Sequence, residues 1–167
     1  MMLGFWNQSD ETATVLREHV DAGAARQWLH TGDLGYLDDD GYLFIVDRKK
    51  DLIKISGFQV WPREVEEVVA KHPAVAEVGV AGVMDPIRGE AVTACVVLRV
   101  GRDVTEGELR DFCRQHLAPY KVPTRVEFRT ELPKTMVGKV LRRALREEAQ
   151  RLRSSSTTGL SNADAVR

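Results

Sequence analysis

Lys54-Ile55-Ser56-Gly57-Phe58-Gln59-Val60-Trp61-Pro62-Arg63-Glu64-Val65-Glu66-Glu67 is the stretch that decides the fold. Leu52 to Ile55 reads as a short strand, and Ser56-Gly57 breaks it. Pro62 suits the first position of a helix, where its missing N–H costs nothing. Val65, Val68 and Val69 then give that helix one apolar stripe. Strand, Gly break and Pro-led helix in so short a space point to a small mixed domain.

Working toward the C-terminus, His72-Pro73 ends the helix and Val75 to Val83 is a strand. Asp85-Pro86 turns the chain. Ala91 to Val100 is a near-continuous apolar run with β-branched residues, the mark of a central strand. Thr105 followed by Glu108 is a capping box that opens a helix carrying Leu109, Phe112, Cys113 and Leu117 on or near one face. Arg125 to Phe128 is a short strand, Pro133 to Lys139 an irregular loop, and Val140 to about Leu152 a basic amphipathic helix. Residues 50–150 therefore predict an α/β (α+β) domain: a small three-stranded sheet flanked by helices, plus a β-hairpin. The Ser- and Thr-rich end, residues 151–167, is expected to be a disordered tail.

Working toward the N-terminus, Asp47-Arg48-Lys49-Lys50-Asp51 is an unbroken charge run between apolar segments. Before it, Leu34–Leu37 and Tyr42–Val46 read as strands joined by the turn Asp38-Asp39-Asp40-Gly41. Trp28 to Asp33 reads as a strand ending in a tight polar turn, and Thr12 to Val20 as a possible short helix. Residues 1–49 thus form a β-rich unit, and its first segment, up to about Gln27, does not close a hydrophobic core alone.

The 167 residues are 43% hydrophobic and 29% charged with a formal net charge of -1, so bulk charge favours neither nucleic acid nor an anionic membrane. No apolar run reaches the roughly 20 residues of a spanning helix, and the first residues lack the pattern of a signal peptide. Cys95 and Cys113 have no metal-ligand spacing and read as reduced thiols in or near a core, which suggests the cytoplasm.

Three segments can carry chemistry. Asp33, in Thr31-Gly32-Asp33, can accept hydrogen bonds from a vicinal diol such as ribose; a plain hairpin turn is the alternative. The charge run 47–51 is either a solvated turn or a hinge, and Gly57 permits an unusual dihedral or a ligand's close approach. Lys139, in Pro133-Lys134-Thr135-Met136-Val137-Gly138-Lys139, can reach anionic oxygens from a loop, or is an ordinary surface lysine. The Gly-x-x-x-x-Gly-Lys spacing of a phosphate-cradling loop is absent.

Together, in this order, the three segments resemble the C-terminal signature of the adenylate-forming superfamily, which includes acyl-CoA synthetases, aryl-CoA ligases and luciferases. The resemblance runs from about Leu3 to about Glu148. Tyr42 to Asp51, Trp61 to Glu67 and Tyr120-Lys121-Val122-Pro123 look most like fatty acyl-CoA ligases. It implies an acid–thiol ligase that forms acyl-CoA from a carboxylic, expectedly fatty, acid, ATP and CoA through an acyl-adenylate. In this family a small lid domain rotates on a large N-terminal core between the half-reactions.

Residue by residue, the resemblance implies that Asp33 binds the AMP ribose and Arg48 contacts the nucleotide. Lys50 falls at the hinge. Lys139 bridges carboxylate and phosphate oxygens during adenylation, and Gly57 lines the pantetheine tunnel. Arg114 and Lys121 fall where relatives place basic contacts for CoA phosphates, and Lys54 where some relatives use a lysine in the second half-reaction. Mg2+ is expected with ATP, with no metal ligand in this chain. The expected partners are the small-molecule substrates and the N-terminal core of the same enzyme, without which the chain is expected to be inactive. The alternatives are a freestanding lid that binds CoA or docks on a core in trans, and nucleic-acid binding through the helix from Lys139 to Arg153. Glu147 and Glu148 interrupt that basic helix and no aromatics interleave with its charges, which argues against the last.

Overall fold

A computed structural model describes residues 2–158 apart from Ala22. The chain divides into two units, residues 1–50 and residues 51–167.

In the first unit, helix α1 (Ser9–Val15) leads into strand β1 (Leu16–Asp21), which pairs antiparallel with β2 (Ala24–Leu29). The helix expected over Thr12–Val20 is thus only half helical. The next strand, Ala24–Leu29, pairs with Leu16 to Asp21 along its whole length, and pairing overrides a weak local helical tendency. Strands β3 (Asp33–Leu37) and β4 (Leu43–Arg48) form the second hairpin. Its turn closes through the Asp38 carboxylate, which accepts hydrogen bonds from the Asp40 and Tyr42 N–H groups at 3.1 and 2.8 Å. Among the described residues of this unit no apolar side chain is buried, and Trp28, Tyr36, Leu37, Leu43 and Ile45 are all about half exposed or more.

The second unit is built on one sheet. Strands β5 (Ile53–Ile55) and β6 (Phe58–Val60) form a hairpin. Helix α2 (Pro62–Val69) follows with Pro62 in its first turn. The long strands β7 (Val75–Asp85) and β8 (Gly89–Leu98) pair antiparallel along their length. Helix α3 (Glu106–Arg114) opens with the expected capping box: Thr105 Oγ1 accepts from the Glu108 N–H, and the Glu108 carboxylate accepts from the Thr105 N–H. Strand β9 (Arg125–Phe128) lies parallel to β8, and helix α4 (Arg142–Thr158) ends the described chain. The three strands β7, β8 and β9 make the expected small sheet, with the β5–β6 hairpin joined to β8 at Ile55 and Gly89.

Alternation along the strands sorts the core to two faces. Val80, Val92, Ala94 and Val96 point to the face covered by α2 and α3, where they meet Val65, Val69, Leu109 and Cys113. Ala81 and Cys95 point to the opposite face, covered by Leu145 of α4 and Leu132. Each fully buried Val or Leu contributes roughly 1.5–3 kcal/mol over leaving it exposed, so this unit has the core that the first lacks.

Helix α4 runs to Thr158, past Leu152, where the sequence pattern ends it and begins a disordered tail. A helix already nucleated on a packed first half extends at low cost through residues of modest propensity. Residues 159–167 of that tail lie outside those described.

Candidate functional site

In the first unit Asp33 and Arg48 are directly opposite each other on β3 and β4. Their side chains form an ion pair with Arg48 Nε 3.2 Å from Asp33 Oδ1. Both are partly exposed, so the pair contributes at most about 1 kcal/mol to stability; its value is in aiming the two groups. Thr31 Oγ1 accepts the Asp33 N–H at 3.1 Å, and the Lys49 N–H donates to the Gly32 carbonyl at 2.8 Å, which fixes the turn that carries Asp33. Asp33 lines a cleft of about 610 Å³ with His19, Trp28, His30, Thr31 and Lys49. The two histidine rings there touch, Nε2 to Nε2 at 2.8 Å, a pairing across the first hairpin that the sequence did not disclose. Lys50 sits exposed in a short 3-10 turn, Lys49–Asp51.

In the second unit Gly57 is at the tip of the β5–β6 hairpin. Ser56 and Gly57 have φ of +47° and +88°, the left-handed pair of a tight hairpin turn. A side chain at Gly57 would meet no atom within 4 Å, so its surroundings are open. The Ser56 N–H donates to the Arg88 carbonyl at 2.9 Å and holds the tip against the start of β8. Beside the tip, the Phe58 ring stacks on Tyr120 with centroids 4.6 Å apart. The Lys121 ammonium lies 2.6 and 2.7 Å from the two Glu64 oxygens. Lys121 therefore links the Pro119–Lys121 turn to α2, and an incoming phosphate has to compete with a carboxylate for it. Arg114 is ion-paired with Asp111 one turn earlier on α3. The Lys54 side chain is exposed on β5, while its N–H donates to Glu90 Oε2 at 2.7 Å.

Lys139 is carried by a closed loop rather than an irregular one. Lys134 and Val140 form a β-bridge at its base. The Thr135 N–H donates to the Lys139 carbonyl at 2.8 Å, the Gly138 N–H to the Thr135 carbonyl at 2.9 Å, and the Lys139 N–H to Thr135 Oγ1 at 3.1 Å. The backbone of Lys139 is thus held on both sides, while its ammonium is exposed and has no ion-pair partner among the described residues. Among the described residues no group of three or more His, Cys, Asp or Glu side chains is placed to hold a metal ion, and no helix is long and apolar enough to cross a membrane.

A mixed sheet with helices on both faces, a Gly-tipped hairpin and a presented lysine make up the second unit. Residues 64–139 match the AMP-binding enzyme C-terminal domain family. The chain is 53% identical over 148 residues to a long-chain-fatty-acid–CoA ligase of Bacillus subtilis strain 168, a match that covers 89% of this chain and 25% of the ligase. A long-chain-fatty-acid–CoA ligase of Salmonella typhimurium is 49% identical over 150 residues, covering 90% of this chain and 25% of the ligase. Among solved structures, ATP-bound MatB from Rhodopseudomonas palustris superposes with a TM-score of 0.79 at 36% identity, over 89% of this chain and 28% of MatB. The chain thus spans about a quarter of the length of the ligases it matches.

Proposed function

We propose that this chain is the lid end of an ATP-dependent fatty acid–CoA ligase, and that Lys139 is its adenylation lysine. The observation that carries the reading is the presentation of Lys139: a closed loop with an exposed ammonium that has no ion-pair partner among the described residues. In adenylation a carboxylate oxygen attacks the α-phosphorus of ATP, the acyl–phosphate bond forms, and the bond to the pyrophosphate oxygen breaks. Negative charge builds on the phosphoryl oxygens, and an ammonium held at that place stabilises it most in a site closed to water. In the second step the CoA sulfur attacks the acyl carbon and AMP leaves.

The other roles follow. Asp33 accepts hydrogen bonds from the ribose hydroxyls, and Arg48, held beside it, contacts the nucleotide. Lys50 is the hinge residue between the two poses. The open, left-handed tip at Gly57 lets the thiol-bearing arm pass close to backbone. Arg114 and Lys121 are proposed for the CoA phosphates; each is paired, Arg114 with Asp111 and Lys121 with Glu64, and Arg114 is the more exposed of the two. Lys54, exposed on the same hairpin, is assigned to the second half-reaction only. Mg2+ enters with ATP, and the two free, buried thiols suit a cytoplasmic enzyme.

The test separates the half-reactions in this chain joined to the N-terminal core of a long-chain ligase. Lys139→Ala is expected to lower ATP–pyrophosphate exchange by about 10²-fold or more, while conversion of supplied acyl-adenylate and CoA to thioester persists. Gly57→Leu should do the reverse. Equal loss of both half-reactions in each variant would refute the assignment.

A further inference from the structure

Helix α4 begins at Arg142 and Arg143 and has no acidic residue in its first turn. That is the wrong charge for a helix N-terminus, where the backbone dipole favours carboxylates. Helix formation alone does not account for Arg142. Its environment does. Arg142 Nε lies 3.0 Å from Glu66 Oε1 and Nη2 lies 2.6 Å from Glu66 Oε2, a two-pronged pair with α2. Its Nη1 reaches Asp51 Oδ2 at 3.4 Å. Each of the three side chains is a fifth exposed or less, so the charges are poorly screened by water. Glu66 is itself fixed, because its Oε1 also accepts the Val80 N–H at 2.9 Å from β7.

The two ends of this cluster have a meaning in the chain. Arg142 follows Lys139 by three residues, directly after the point where the Leu141 N–H closes the loop on the Pro133 carbonyl at 2.8 Å. Asp51 follows Lys50, the proposed hinge residue. We infer that Arg142 is a positioning residue for Lys139: by gripping Glu66 and Asp51 it ties the root of the lysine loop to α2 and to the first residue beyond the hinge. The inference rests on the reading of Lys139 proposed above. Rotation at the hinge then carries the loop as part of one rigid piece, and the ammonium arrives with its orientation already set. A loop free to swing would deliver the same charge to the wrong place, and a misplacement of about 1 Å can cost about 10²-fold in rate.

Two measurements test this. The first is hydrogen exchange in the 167-residue chain and needs no activity. Arg142→Met should speed exchange of the Gly138, Lys139 and Leu141 amides about tenfold, Arg142→Lys less, with β7 and β8 amides unchanged. Unchanged loop exchange overturns the inference. Should Arg142→Met also open β7 and β8, Glu66→Gln is read in its place, with the same expectation and the same refutation. The second is kinetic, in the chain joined to a ligase core. Arg142→Met should lower kcat for adenylation by about tenfold or more, leave KM for ATP within about twofold, and spare thioester formation from supplied acyl-adenylate. Arg142→Lys should recover part of the rate. Full adenylation activity in Arg142→Met with a loosened loop overturns the positioning role. If Lys139→Ala is itself silent in that assay, the reading of Lys139 fails, while the exchange result still reports on the anchor.

Discussion

Cys95 and Cys113 are both fully buried, one on each face of the sheet. Burial pushes each thiol up to about 11, since a thiolate there would lose its hydration. In Cys95 the neighbouring Arg129 pulls the other way and does not win. Two consequences follow. At pH 8 the folded chain should react with iodoacetamide roughly 100-fold more slowly than the urea-unfolded chain, read by mass spectrometry. The folded state also binds these two protons more tightly than the unfolded state, whose thiols titrate near 9. Stability from this source is complete below pH 9 and is lost as pH rises toward 11. A urea midpoint that does not fall between pH 8 and pH 10 would contradict it. The burial of both cysteines was legible, because each sits in an apolar pattern. The partners of the charged residues were not: Glu66 and Arg142 are 76 residues apart, and Glu64 and Lys121 are 57 apart. No periodicity links residues so distant; only the fold brings them together.

Among elements, those governed by neighbouring residues were readable and those governed by remote partners were not. The capping box of α3 and the Pro62 start of α2 depend on contacts within one turn, and both formed as expected. Strand β9 formed at its expected bounds. Strand β1 went unread because its pairing with β2 decides its conformation. The seat of α4 is a further remote effect. Gly79 on β7 lies beneath it, and a Cβ there would come within 2.6 Å of Leu145 Cδ1 and 2.9 Å of Val140 Cγ1. Gly79→Ala should therefore lift the helix and cost about 1–3 kcal/mol, with a matching fall in the urea midpoint. Because Val140 borders the Lys139 loop, the same variant should loosen that loop. An unchanged midpoint would mean that the helix does not press on β7 as closely as described.

At the scale of the whole molecule the two units differ in kind. The second has a two-faced core and a network of ion pairs; the first has hairpins whose apolar side chains are exposed or half-buried, and Asp47 is the one buried residue among those described there. Its four strands were only partly foreseen, and the sequence showed the want of a core only for the residues before Trp28. Hydrogen exchange should therefore show slow amides confined to residues 51–150 and fast exchange in the first 27, since hairpins without a buried face open at little cost. Strong protection of the first 27 residues in a monomer would contradict this.

The central claim is that this chain is the lid end of a fatty acid–CoA ligase and that its Lys139 serves adenylation with an N-terminal core. The most direct measurement mixes the purified chain with a lid-deleted core of a long-chain-fatty-acid–CoA ligase, adds ATP, CoA and palmitate, and follows AMP and palmitoyl-CoA. The account predicts that the chain alone and the core alone are inactive, that the mixture forms thioester, and that Lys139→Ala abolishes the gain. Robust turnover by the chain alone, or rescue undiminished by Lys139→Ala, would contradict it.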